Sequence, residues 1–173
     1  MTGELRTTDE PAFAEPVDSD IDLHAAGQRR ELLRTHGAVL VVIAAGGSLG
    51  AFARYELARL LPTHPAGFPW ATFITNVTGC FLIGILMVAI TDIWVAHHLL
   101  RPFLGVGVLG GFTTFSTYLG ETRNLLQPNT IGIAFGYLAG TLLCALLATL
   151  TAVRLTRAAY EYRIRHRQEA TSA

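Results

Sequence analysis

Residues Gly110–Tyr118 read GGFTTFSTY. Two glycines, three threonines, a serine and three aromatics stand in the middle of an apolar stretch. Consecutive glycines followed by β-branched hydroxyl residues favour a break in a helix. A break frees carbonyls and amides, and a chain tolerates this at membrane depth only where protein or water satisfies them. Freed carbonyls can hold a cation. Neutral donors and the positive rims of aromatic rings can hold an anion. The segment is therefore expected to interrupt a membrane helix for a purpose.

The surrounding composition supports a membrane setting. The chain has 173 residues, 51% hydrophobic and 15% charged, with a mean hydropathy of +0.41. A soluble domain carries about 25% charged residues. Four stretches meet the requirement of about 20 mostly apolar residues for a bilayer core: Gly37 to about Leu57, about Trp70 to Ile90, about Pro102 to Leu119 with a polar tail at Glu121, Arg123 and Asn124, and about Ile131 to Val153. The second could continue toward Ala96, with Trp94 at the interface. Links containing Pro62, Pro65, Gly67, Pro69, Pro102 and Pro128 separate them. Their backbone groups must be satisfied within each segment, so they are expected as helices rather than barrel strands. The fold class is thus an all-α membrane protein with four transmembrane helices, the third broken near its middle.

Around this core, residues 1–36 form a polar, acidic tail expected to be disordered, with a short surface helix over about Asp22–Thr35. Residues 37–155 form the membrane domain, and 156–173 a basic C-terminal tail. No secretory signal is expected, because the first apolar run follows an acidic segment rather than a short basic one.

Every basic residue is arginine. Four spans put both termini on one side. That side carries Arg29, Arg30, Arg34, Arg101, Arg154, Arg157, Arg163, Arg165 and Arg167 near the spans; the other carries Arg54, Arg59 and Arg123. The excess of basic residues predicts a multi-pass plasma-membrane protein with cytoplasmic N and C termini. Small residues recur at four-residue spacing at Gly46/Gly50, Gly107/Gly111 and Gly132/Gly136/Gly140. Such stripes allow close helix approach, within a bundle or between subunits.

Several function classes find no support. Spans two, three and four, as bounded above, contain no Asp, Glu, Lys, Arg or His, whereas ion-coupled transporters usually keep one in the membrane. Cys80 and Cys144 lie in apolar stretches and read as small buried side chains. His97 and His98 are adjacent, a poor geometry for chelating one metal on a helix. Gly105–Gly110 matches GxGxxG, but no strand precedes it. No acid–base pair or activated nucleophile is evident, so enzyme chemistry is not expected. Nor does the zero net charge point to nucleic acid. What remains is neutral polarity: Thr75, Asn76, Thr78, Thr113, Thr114, Ser116, Thr117 and Thr141. The hydroxyls can bond back to their own helices. Asn76 must find partners, either as glue between helices or as the lining of a polar path.

Three motifs carry a family resemblance: GGSLGAFARY (Gly46–Tyr55), TFITNVTGCFLIG (Thr72–Gly84) and GVLGGFTTFSTY (Gly107–Tyr118). The chain closely resembles the CrcB/Fluc family of fluoride channels over about residues 37–155. The resemblance implies an antiparallel dimer of four-helix subunits with two fluoride pores, passing fluoride passively and protecting the cell from its toxicity. It implies a structural sodium ion, not transported, bound by the backbone carbonyls of Gly110 and Thr113 of each subunit. Asn76 would be the pore-lining amide, and Phe115 and Tyr118 the paired aromatics. Ser116 and Thr117 would belong to the polar track, while Arg54 would be structural or vestibular.

Tyr118 departs from the family's usual phenylalanine. The added hydroxyl is expected to donate to fluoride or narrow the pore, altering throughput. The arginine bias also sits poorly with a homodimer whose chains insert both ways, so a heterodimer with an oppositely oriented homologue is expected instead. Two other readings are a small multidrug-type exporter, for which Glu56 would have to serve as the buried carboxylate, and a non-conducting assembly partner in the membrane.

Overall fold

The computed structural model describes residues 26–64, 66–93 and 99–172, with side chains over 37–64, 66–92 and 99–166. The acidic tail over residues 1–25, Trp94, His97 and His98 lie outside the described residues, as do the side chains of Arg29, Arg30, Arg34 and Arg167. The chain divides into two units, Met1–His36 and Gly37–Ala173. In the first, the backbone is helical from Ala26 onward. The second unit carries the spans.

All described regular structure is helical. Helix α1 spans Ala26–Leu60 and α2 Trp70–Val88. Wide π-helical turns follow over Ala89–Ile93 and again over Pro102–Leu109. Helix α3 is one short turn, Gly110–Phe112; α4 covers Ser116–Leu125 and α5 Ile131–Ser172. Four segments are long and apolar enough to cross a bilayer: Gly37–Leu60, Trp70–Asp92, Pro102–Leu125 and Ile131–His166. Their best windows are only 11% to 22% buried within the chain. Most of their apolar surface is therefore left for lipid or another subunit.

All four spans run past their expected ends, the third and fourth furthest. The third continues to Leu125 and takes the polar tail with Glu121 and Arg123 into the span. Hydropathy ends a span at the first charge; the helix continues because Glu121 finds hydroxyl partners. α5 passes Val153 without interruption and takes the C-terminal segment up to Ser172 into the same helix. At 1.5 Å per residue it is roughly 63 Å long, about twice the hydrocarbon thickness.

Glycines set the helix spacing. A side chain at Gly46 would meet the Phe103 carbonyl oxygen at 2.5 Å, one at Gly50 would overlap the Val108 carbonyl, and one at Gly111 would overlap that of Gly47. The first span and the first half of the third therefore touch backbone to backbone. On the far side, Gly84 of α2 faces Thr149 and Ala152 of α5, and the Thr149 hydroxyl donates to the Cys80 carbonyl at 3.1 Å. Asp92 and Arg157 pair at 3.3 Å beyond this contact. By contrast, a methyl group at Gly132, Gly136 or Gly140 would meet nothing within 4 Å among the described residues beyond its own helix turn. That stripe is open.

The apolar core lies at one end of the bundle. Tyr118, Leu125, Ala134 and Tyr137 form it, with Phe68, Phe73, Ile133 and Leu138 against them. Phe68 meets Phe73 and Tyr137 edge-on at centroid distances of 5.5 and 5.3 Å, a favoured geometry for aromatic pairs. This cluster docks α4 on α5 and so positions the break.

Candidate functional site

The break begins at Thr113, whose backbone is extended (φ −75°, ψ 156°). Helical bonding up to that point is intact: Thr113 N–H donates to the Leu109 carbonyl at 3.0 Å, and its hydroxyl does the same. The next amide turns away. Thr114 N–H, which would close a helical turn on Gly110, donates to Asn76 Oδ1 at 2.9 Å. Asn76 Nδ2 donates in return to the Thr114 carbonyl at 2.9 Å. The carboxamide has just the donor and acceptor that a peptide group needs. It substitutes for the interrupted ladder, so Asn76 acts here as glue, with a second amide hydrogen still to give.

The side chain of Thr114 starts the next helix. Its Oγ1 accepts from Thr117 N–H at 3.2 Å, its hydroxyl donates to Thr117 Oγ1 at 3.1 Å, and it lies 3.4 Å from Ser116 Oγ. This is the chemistry of an N-cap. Arg54, from the first span, reaches the Thr113 carbonyl at 3.4 Å.

Two helix ends of opposite polarity thus face one another. The third span's first half ends in carbonyls at Gly110–Thr113, the negative end of its dipole. α4 begins with amides, the positive end. Carbonyls suit a cation; amides at a helix N-terminus suit an anion.

Two cavities flank this junction. The larger, about 760 Å³, is lined by Asn76, Gly110, Thr113, Phe115, Tyr118 and Thr141 among others. The smaller, about 300 Å³, is lined by Arg54, Thr72, Thr75, Thr117 and Glu121 among others. Thr114 borders both. Of the residues singled out from sequence, Asn76, Gly110, Thr113, Phe115 and Tyr118 share the larger cavity, and Arg54 and Thr117 the smaller. Ser116 is exposed beside them. Phe115 is 71% exposed and projects from the chain, whereas Tyr118 is 7% exposed. Their ring centroids are 5.9 Å apart. The Tyr118 hydroxyl donates to the Leu138 carbonyl of α5.

Two residues that the sequence marks only as polar, Glu121 and Thr141, take defined places. Glu121 accepts from Thr72 Oγ1 at 2.9 Å and from the Tyr137 hydroxyl at 2.7 Å, so both carboxylate oxygens are held by neutral donors. Thr141 Oγ1 is buried, lines the larger cavity and has no hydrogen-bond partner among the described residues. Such an atom asks for a ligand or water. Glu56, by contrast, pairs with Arg59 at 3.3 Å on an exposed surface, unlike the buried carboxylate that a proton-coupled exporter needs.

The family described as CrcB-like protein, Camphor Resistance (CrcB), matches residues 41–153. The chain belongs to the CrcB family. The matched segment contains every residue of the two cavities named above. Among curated CrcB-family relatives, the chain is 60% identical over 109 residues to fluoride-specific ion channel FluC 2 of Nocardia farcinica, covering 63% of this chain and 78% of that one. It is 50% identical over 122 residues to fluoride-specific ion channel FluC 2 of Streptomyces avermitilis, covering 70% and 77%. With fluoride-specific ion channel FluC 1 of Streptomyces coelicolor it shares 45% identity over 141 residues, covering 82% and 92%.

Proposed function

We propose that the chain is a subunit of a fluoride-specific channel that lets fluoride leave the cell passively, down its electrochemical gradient. One observation carries the reading: the segment matching relatives named for that activity is the segment that holds the broken span and its uncharged polar lining. Fluoride is small and strongly hydrated, so its water must be replaced by close donors along a narrow path. The spare hydrogen of Asn76, the hydroxyls of Ser116, Thr117 and Thr141 and the rim of Phe115 are such donors. The test is fluoride release from liposomes containing the full chain; a preparation that releases fluoride without a proton gradient fits the proposal.

The junction also fits a sodium ion. Thr114 N–H is diverted to Asn76, which leaves the Gly110 carbonyl without its helical donor, and hard oxygen donors suit sodium. Gly110 and Thr113 would hold it, and its charge would fasten the carbonyl ends of two subunits together. The open faces of the spans and the projecting Phe115 support an antiparallel dimer. The arginine excess on the terminal side supports a single orientation with cytoplasmic termini, hence a heterodimer with an oppositely oriented homologue. Co-expression with such a homologue and separation of the mixed dimer tests this arrangement.

A further inference from the structure

Tyr118 differs from the usual phenylalanine by one hydroxyl, and the position of that hydroxyl decides its role. It donates to the Leu138 carbonyl on α5. A phenol has one hydrogen to give. Once that is given to Leu138, only lone pairs remain on the oxygen, and lone pairs repel an anion. The ring itself is buried and meets Tyr137 edge-on at a centroid distance of 5.1 Å. Tyr137 returns a bond in the other direction, to Glu121 Oε2. Two consecutive residues of α5 therefore hold residues one turn apart on α4, with one bond running each way.

The clip matters because of the break. α4 follows a peptide whose amide bonds to Asn76 instead of continuing the helix. Its start is thus placed by side chains: the Thr114 cap at its end and the tyrosine clip one turn on. We infer that Tyr118 is a positioning residue whose hydroxyl fastens the first turn of α4 to α5, and with it Phe115 and Thr117, rather than a donor to the permeating ion. The inference rests on the channel reading proposed above for the role of Phe115 and Thr117, but the anchoring itself does not.

The test uses the full-length purified protein and Tyr118→Phe, which keeps the ring and removes the donor. Amide hydrogen exchange is read over α4, and fluoride release from liposomes is read against fluoride concentration. Loss of one such bond should speed exchange in α4 about fivefold while leaving the half-saturating fluoride concentration within about twofold of the parent. Unchanged exchange in α4 overturns the anchoring. A half-saturating concentration raised about fivefold or more means that the hydroxyl meets fluoride, and overturns the assignment from the other side. A parent protein that releases no fluoride would defeat the channel reading and leave the exchange result to decide the anchoring.

Discussion

Asn76 and Thr114 exchange two hydrogen bonds, side chain to backbone, each 2.9 Å long. Through them the second span holds the break in the third. Removing the donor alone tests which half matters. Asn76→Asp keeps an acceptor for Thr114 N–H but turns a carboxylate oxygen toward the Thr114 carbonyl. A buried acceptor left facing a charge costs about 1–3 kcal/mol or more. Asn76→Asp is therefore expected to lower the thermal midpoint and abolish fluoride release. Asn76→Ser, smaller and neutral, should lose less stability. Calorimetry in detergent together with liposome flux checks both.

The glycine contacts separate into two kinds. Gly50→Ala would drive a methyl into the Val108 carbonyl, a backbone atom that cannot rotate away. Overpacking of this sort costs about 1–3 kcal/mol, and the expected result is a marked fall in thermal midpoint or in yield of folded protein. Measured midpoints of the variant and the parent decide it.

Gly136 is the contrasting case, with nothing among the described residues beyond its own helix turn within 4 Å of its side-chain position. If this stripe is a face between subunits, Gly136→Ile keeps the helix content but shifts the protein toward monomer. Circular dichroism and mass measurement in detergent read the two quantities separately. An unchanged dimer fraction assigns the stripe to lipid.

Thr141 offers a test in which stability and flux should move apart. Its hydroxyl is unpartnered among the described residues, and the residue is 4% exposed. Thr141→Val is nearly isosteric and removes a buried polar atom that costs about 1–3 kcal/mol to leave unsatisfied. The expected outcome is an equal or higher thermal midpoint with fluoride release reduced roughly tenfold, a loss of about 1.4 kcal/mol of barrier stabilisation.

Much of the architecture was legible in the sequence. Four apolar runs of bilayer length became four helices, because length and hydropathy are what a membrane selects. The GGFTT segment marked the interruption, because glycine and β-branched residues act locally. Partnerships across the bundle were not legible in the same way. Asn76 was open between glue and pore lining, and only the position of Thr114 shows the glue. Glu121 read as a polar end, since hydropathy has no term for hydroxyls arriving from Thr72 and Tyr137. Nor could spacing tell that Gly46 and Gly50 are spent inside the chain while Gly132, Gly136 and Gly140 face outward. Tyr118 shows the same limit: its departure from phenylalanine was visible, but the Leu138 carbonyl that receives its hydroxyl lies twenty residues away.

The central claim is fluoride permeation, and the most direct measurement is fluoride release from loaded liposomes, followed with a fluoride electrode while potassium and valinomycin balance the charge. The chain is reconstituted alone and together with a homologue of opposite arginine bias. The account predicts release of fluoride, but not chloride, in at least the paired preparation and with no proton gradient applied. Absence of fluoride release from both preparations would contradict it.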